Sequence, residues 1–243
     1  AVDDAVIDTG APNQPKLGAA ASVYRLFLAT SGANASQLTI NAPLTVSSSI
    51  IIGALGVVTH DANSNAEVFR ASITAGSMIL AGKIDVTGKG YSAQQGPGAQ
   101  VCGYAGGSYG GAAATNGNNC SGPTYGSYSA PVNLGSGGGN VPGGGAVLLN
   151  VAGSLRVDGS IAADGASNWS TGSGGSVYIQ AGSLTGSGVI SASGGACSDG
   201  GCGGGGRVAV ITSTSGFAGS LRAYGGNTSQ NNSGYVGAAG TVF

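Results

Sequence analysis

The chain has 243 residues, of which 50 are glycine, 41% are hydrophobic and only 7% are charged, with a formal net charge of −1. Eight scattered Lys and Arg provide no basic stripe for nucleic acid, and no apolar run approaches the 18–20 residues of a membrane-spanning helix. Disordered chains are poor in aliphatic residues and high in net charge, so this composition predicts a folded chain whose weakly charged surface favours self-association.

In chain order, residues 1–20 read as an extended arm. Asp3, Asp4 and Asp8 interrupt the apolar steps Val2, Val6 and Ile7, and Pro12 and Pro15 discourage helix. From residue 21 the pattern becomes strand-like. Val23–Leu28, Leu38–Ile40, Leu44–Val46 and Ile50–Ile52 are rich in β-branched and aromatic residues and are bounded by Gly, Asn, Pro or Ser. No segment sustains the i, i+3, i+4, i+7 spacing of an amphipathic helix.

A phrase then repeats. Gly76-Ser77-Met78…Gly82…Ile84…Val86…Gly88 returns 77 residues later as Gly153-Ser154-Leu155…Gly159…Ile161…Ala163…Gly165. A further 29 residues on it is Gly182-Ser183-Leu184…Gly188…Ile190…Ala192…Gly194. Glycine-led strands place Val147, Val177, Val208 and Val242 at steps of 30, 31 and 34 residues. A fixed period built from short strands and glycine turns predicts an all-β fold, a single elongated parallel β-solenoid over residues 21–243. Alternation such as Val147, Leu149, Val151 points one set of side chains inward, and stacked coils bury what one coil cannot. Runs such as Gly203–Gly206 read as extended, polyproline-II-like legs, because glycine tolerates close backbones.

A Gly/Tyr-rich insertion at about 89–143 interrupts the repeats and carries Tyr91, Tyr104, Tyr109, Tyr125 and Tyr128. Tyrosines on a glycine-rich loop give large contact area at little entropic cost, which marks them as candidate ligand or subunit contacts; covering the solenoid's own flank explains them equally well. The cysteines fall as Cys102…Cys120 and Cys197…Cys202, and local pairing within each set is the simplest connectivity. Disulfides, together with a chain that opens at Ala1 rather than Met, predict a mature secreted chain in an extracellular or cell-surface location.

The stretches 174–195, Gly-Gly-Ser-Val-Tyr-Ile…Gly-Ser-Leu-Thr-Gly-Ser-Gly-Val-Ile-Ser-Ala-Ser-Gly-Gly, and 203–210, Gly-Gly-Gly-Gly-Arg-Val-Ala-Val, resemble the glycine-rich β-solenoid repeats of secreted and cell-surface proteins, including pilus-associated ones. The resemblance covers about residues 69–88 and 144–243. It implies surface display, adhesion or filament building, and it brings no catalytic residues with it.

The densest polar cluster, His60, Asp61, Glu67 and Arg70, holds the residue types a polysaccharide lyase uses, but a solvated loop explains it more simply. Asp158, Asp164 and Asp199 read as turn residues, since no calcium-loop motif surrounds them. No catalytic activity, cofactor or metal is expected. The leading expectation is an extracellular structural protein, a self-assembling filament or surface-layer subunit. In it the arm (Val2, Val6, Ile7) adds a strand to the open final coil (Thr241, Val242, Phe243) of the next copy. The alternative is a monomeric adhesive module that binds polysaccharide or, less favoured, ice; the lyase is third. Expected partners are therefore the chain itself and extracellular polysaccharide, with no nucleic acid and no membrane insertion.

Overall fold

A computed structural model describes residues 3–8, 14–30, 35–100, 104–115, 120–228 and 235–243. All regular structure among them is β. One sheet of nine strands comprises Asp4–Ile7 (β1), Ala21–Val23 (β3), Arg25–Leu28 (β4), Leu44–Ile52 (β6), Ala71–Leu80 (β8), Ala146–Val157 (β10), Ser176–Gly186 (β12), Arg207–Phe217 (β14) and Thr241–Val242 (β16). A second sheet of seven comprises Lys16–Leu17 (β2), Ser36–Ile40 (β5), Gly56–Thr59 (β7), Lys83–Asp85 (β9), Ser160–Ala162 (β11), Val189–Ser191 (β13) and Ser220–Arg222 (β15). Every pairing is parallel. From β4 onward the chain alternates between the sheets, and each strand pairs with its counterpart one turn later. This arrangement is that of a β-helix or solenoid-like fold.

The repeat phrase explains the register. Its apolar positions form rows that cross the first sheet, such as Leu26–Ile50–Met78–Leu155–Leu184, and the second, Leu38–Val58–Ile84–Ile161–Ile190–Leu221. All but Leu221 are buried, and together they make one continuous core between the sheets. Full burial of each aliphatic side chain contributes about 1.5–3 kcal/mol, so the core is the sum of many like rungs rather than one centre.

The glycines of the phrase answer to proximity. Among described glycines only Gly88, Gly96, Gly126 and Gly186 have positive φ, so the corner glycines do not serve the left-handed turn that glycine usually supplies. At the corner between the two sheets, a Cβ on Gly159 would lie 1.8 Å from the Gly82 carbonyl oxygen, one on Gly188 2.1 Å from that of Gly159, and one on Gly219 2.0 Å from that of Gly188. The glycines that lead the long strands stack likewise: Cβ atoms on Gly175, Gly206 and Gly240 would meet the preceding glycine's oxygen at 1.9, 2.2 and 1.9 Å. Successive coils therefore touch backbone to backbone at two corners.

Beyond these corners the chain forms glycine legs that lie outside the named strands and still satisfy their amides. Each returning leg bonds the outgoing leg of its own coil, as in Gly175 N–H to Ala163 O (2.7 Å) and Gly206 N–H to Ala192 O (2.6 Å). It also bonds the next coil, as in Gly174 N–H to Gly204 O (3.0 Å) and Gly205 N–H to Ala238 O (2.9 Å). Described parts of the insertion add a further layer through Gly107 N–H to Thr171 O (2.9 Å) and Gly111 N–H to Gly205 O (2.8 Å). The insertion is thus packed on the body.

The N-terminal segment differs from the expected arm. Its β1 pairs with β4 of the same chain, Asp4 opposite Arg25 through Ile7 opposite Leu28, and β2 pairs with β5. The Asp4 carboxylate accepts two bonds from Arg25, at 3.0 and 2.6 Å, which pins the strand. Ala5 and Ile7 rest partly buried on the chain's own core, while Val6 between them is exposed. Val2 and Cys102 lie outside the described residues.

Because Gly206 sits between two backbones and Gly18 has nothing within 4 Å of its would-be Cβ, Gly206→Ala is expected to cost about 1–3 kcal/mol by overpacking. Gly18→Ala stays within about 0.5 kcal/mol. Urea unfolding of the two variants measures the difference.

Candidate functional site

The polar cluster noted in the sequence resolves into structural parts. His60 is fully buried at the end of β7. Its Nδ1 lies 2.7 Å from the Asp61 carbonyl oxygen and donates to it, leaving Nε2 to accept the Ala146 N–H at 3.3 Å. Burial lowers its pKa to about 4, and the Lys89 and Arg70 charges act in the same direction. A Cβ on Gly145 would lie 2.4 Å from Nε2, so the ring abuts the first glycine leg and has no room for a substrate. Asp61 pairs with Lys16 and accepts from Asn41, at 2.8 Å, which depresses its carboxyl pKa.

Glu67 and Arg70 form an ion pair that clamps the insertion. Arg70 Nε donates to Val132 O at 2.9 Å, while Glu67 Oε1 accepts from Asn133 Nδ2 (3.1 Å) and Leu134 N–H (3.2 Å). His60 and Arg70 therefore do not converge on an open cleft. The cluster forms a buttress between β7, β8 and residues 132–134.

The five tyrosines divide by burial. Tyr109 is fully buried, and Tyr91 is 8% exposed. The Tyr109 hydroxyl lies 2.7 Å from Ser176 Oγ. Tyr125 packs on it with ring centroids 4.6 Å apart and donates its hydroxyl to Leu134 O at 2.5 Å. Burial pushes both hydroxyls above the usual phenol range, Tyr125 well above. Arg207 lies over the Tyr109 ring, 5.3 Å from its centroid, and donates to Tyr125 O (3.0 and 2.8 Å) and to Thr241 Oγ1 (3.2 Å). Tyr109 and Tyr125 hold the insertion to β12 and β14, Tyr91 packs with Leu134 and Ala146, and none of the three is a free contact. Tyr104 and Tyr128 remain more than half exposed. Tyr104 lies against Trp169, centroids 4.3 Å apart, and Tyr128 meets Phe243 edge-on at 5.6 Å.

Thr241 and Val242 pair with Arg207 and Val208, and the side chains of Val242 and Phe243 are about half exposed. Cys197 and Cys202 are bonded to each other, with Cα atoms 4.9 Å apart, and no described cysteine is free. Asp164 accepts from Ser191 Oγ and Ser193 N–H, at 2.6 and 2.5 Å, and Asp158 pairs with Arg156, so both serve local structure. No group of three or more metal-ligating side chains occurs among the described residues.

The feature left over is the outer face of the large sheet. One outward row runs Thr45–Thr74–Asn150–Gln180–Ile211. A second runs Ser49–Ser77, then Ser154–Ser183–Thr214, with Ser154 beside Ser77 because Leu155 pairs with Met78. Between them the ladder shifts at a bulge occupied by Gly76, Gly153 and Gly182, which leaves a shallow open trough lined by Asn150, Ala152, Gln180, Gly182 and Ser213. Across β8, β10, β12 and β14 the exposed charge is Arg156, already paired with Asp158, while Arg207 at the start of β14 is buried against Tyr109 and Tyr125. Nothing in the sequence singles out this face, because strand alternation marks its residues only as lying outside the core. Their alignment into rows depends on a register that crosses the 60-odd residues separating β9 from β10.

Protonating His60 opposes the fold. Its folded pKa of about 4 lies below the ordinary 6.5, so the unfolded state takes up the proton first as pH falls. Stability should decline from about pH 6.5 and level off near pH 4, by about 3 kcal/mol in all; urea titrations across that range check it, and His60→Gln should flatten the slope. Glu67→Ala should free residues 132–134 and expose the insertion to limited proteolysis while the core strands stay resistant. Comparison of the chain with protein-family models, with curated proteins and with solved structures finds no match.

Proposed function

We propose that the chain is an extracellular structural protein, a surface-layer or adhesive subunit built as one elongated β-solenoid with polyproline-II-like glycine legs. One observation carries this reading: parallel backbone ladders run from strand to strand through both sheets while the glycine legs add a third hydrogen-bonded layer. The titratable clusters and the buried tyrosines are spent on holding that frame together. The Cys197–Cys202 disulfide supports an oxidising, extracellular location.

A second reading, end-to-end self-assembly, rests on a separate observation. The partly buried apolar residues that pack on the core lie at the two ends of the stack: Ala5, Ile7, Leu17, Ala21 and Val23 at one, Val210, Phe217 and Leu221 at the other. Their incomplete cover favours stacking against a second copy, with β1 as one meeting edge and β16, with the part of β14 it leaves uncovered, as the other.

Electron microscopy of the purified protein distinguishes these readings. The structural reading predicts uniform, protease-resistant particles; particles of irregular outline that proteases digest throughout would contradict it. Assembly predicts end-to-end strings that lengthen with concentration and disappear in Phe217→Asp.

A further inference from the structure

The rows on the outer face of the large sheet have unused hydrogen-bonding capacity. Among the described residues, the side chains of Thr74, Ser77, Asn150, Ser154, Gln180 and Ser183 have no protein hydrogen-bond partner. Polar side chains elsewhere contrast with them. Asn63, Ser170, Thr171 and Asp164 are each engaged with backbone or side-chain partners. On this face the donors and acceptors instead point outward from a rigid support at regular steps. Neighbouring strands lie about 4.8 Å apart, and alternate outward residues along one strand lie about 6.7 Å apart.

We infer that the trough across β10, β12 and β14, with the hollow beside it that reaches β8, is a binding site for an extended, neutral polysaccharide chain lying across the strands. This inference rests on the extracellular adhesive reading above and adds a site and a ligand class to it.

Three features set the class. The first is charge: with Arg156 paired to Asp158 and Arg207 buried against the insertion, these four strands expose no free charge to attract a uronate, sulfate or phosphate group. The second is the pairing of amides with hydroxyls. Asn150 and Gln180 each offer both a donor and an acceptor, as do the serine and threonine hydroxyls of the facing row, and sugar hydroxyls require both. The third is the flank. Leu148 and Tyr178 pair side by side one step beyond the amide row, and with Val132 they border a second hollow that shares Asn150 and Gln180. An aromatic and aliphatic border next to an amide row suits a pyranose ring, which has apolar C–H faces and a polar rim.

Repetition argues for a polymer rather than a single sugar. Each rung offers only one or two exposed hydrogen bonds, weak by itself. A chain that meets equivalent rungs in succession makes its later contacts at high effective concentration. The glycine bulge contributes the floor: with hydrogen at Gly76, Gly153 and Gly182, the trough is bounded by backbone, and a Cβ at Gly182 would lie 2.7 Å from the Ala152 oxygen.

The test is affinity electrophoresis of the intact protein through gels containing a neutral glucan, mannan, xylan or galactan, with a polyuronate as the charged control. The expected result is retardation by at least one neutral polymer and not by the polyuronate. Asn150→Ala combined with Gln180→Ala should weaken that retardation at least tenfold, with an unchanged thermal midpoint by circular dichroism. Asn168→Ala, on a glycine-loop tip away from the face, should leave it unchanged. The proposal is overturned if no neutral polymer retards the protein, if only the polyuronate does, or if the double variant is retarded like the parent. It is also overturned if the face instead halts ice growth or dimerises in sedimentation, with no polysaccharide bound. A folded, protease-resistant protein that ignores every polymer removes the site and leaves the structural reading standing.

Discussion

The rest of this fold depends on a close approach between backbones at the glycine corners. At the strand-leading corner Gly175, Gly206 and Gly240 each lie against the carbonyl of the glycine one coil before, so near that a methyl group would sit about 2 Å from oxygen. That contact sets the coil spacing at which the parallel ladders of both sheets form. It also lets the extended legs bond amide to carbonyl without side chains between them. Glycine loses more conformational freedom on folding than any other residue. Fifty of them would make a floppy chain unless nearly every leg amide found a partner, and the dense network of backbone bonds supplies those partners.

Side chains then act as fasteners at a few points where the glycine layers must be joined to the core. His60 closes the space beside the first glycine leg, neutral and with both ring nitrogens engaged. The Glu67–Arg70 pair grips the backbone of residues 132–134. Tyr109, Tyr125 and Arg207 tie the insertion to β12 and β14. Each uses a polar group whose burial would be costly if unpaired, and each is paired. The same residue types, met in an open cleft, would suggest catalysis. Here their partners are backbone atoms and neighbouring side chains of the frame itself.

Much of the fold was legible in the sequence because the solenoid-like pattern repeats its own evidence. The returning Gly-Ser-Leu and Gly-x-Val phrases gave strand positions and the inward rows, and Leu155 and Leu184 do stack on Met78 as that echo implied. The role of the N-terminal segment was not legible, since aspartates and prolines describe an exposed strand as well as a free arm, and the Asp4–Arg25 pairing spans 21 residues. The tyrosines were ambiguous for a related reason. Tyr109 and Tyr128 sit in similar Gly/Ser surroundings, and only the long-range contact of Tyr109 with Ser176, 67 residues away, separates a buried fastener from an exposed ring. The outer hydroxyl rows were invisible because Ser77 and Ser154 become neighbours only after the whole insertion has looped out and returned.

The central claim is that the glycine legs form a hydrogen-bonded layer as ordered as the strands. Residue-resolved amide hydrogen exchange tests it most directly. The account predicts that Gly174, Gly175, Gly205 and Gly206 exchange as slowly as Val177 and Ile179 in β12, through the same global unfolding. Exchange of those glycines at the rate of an open loop, with β12 still protected, would contradict it.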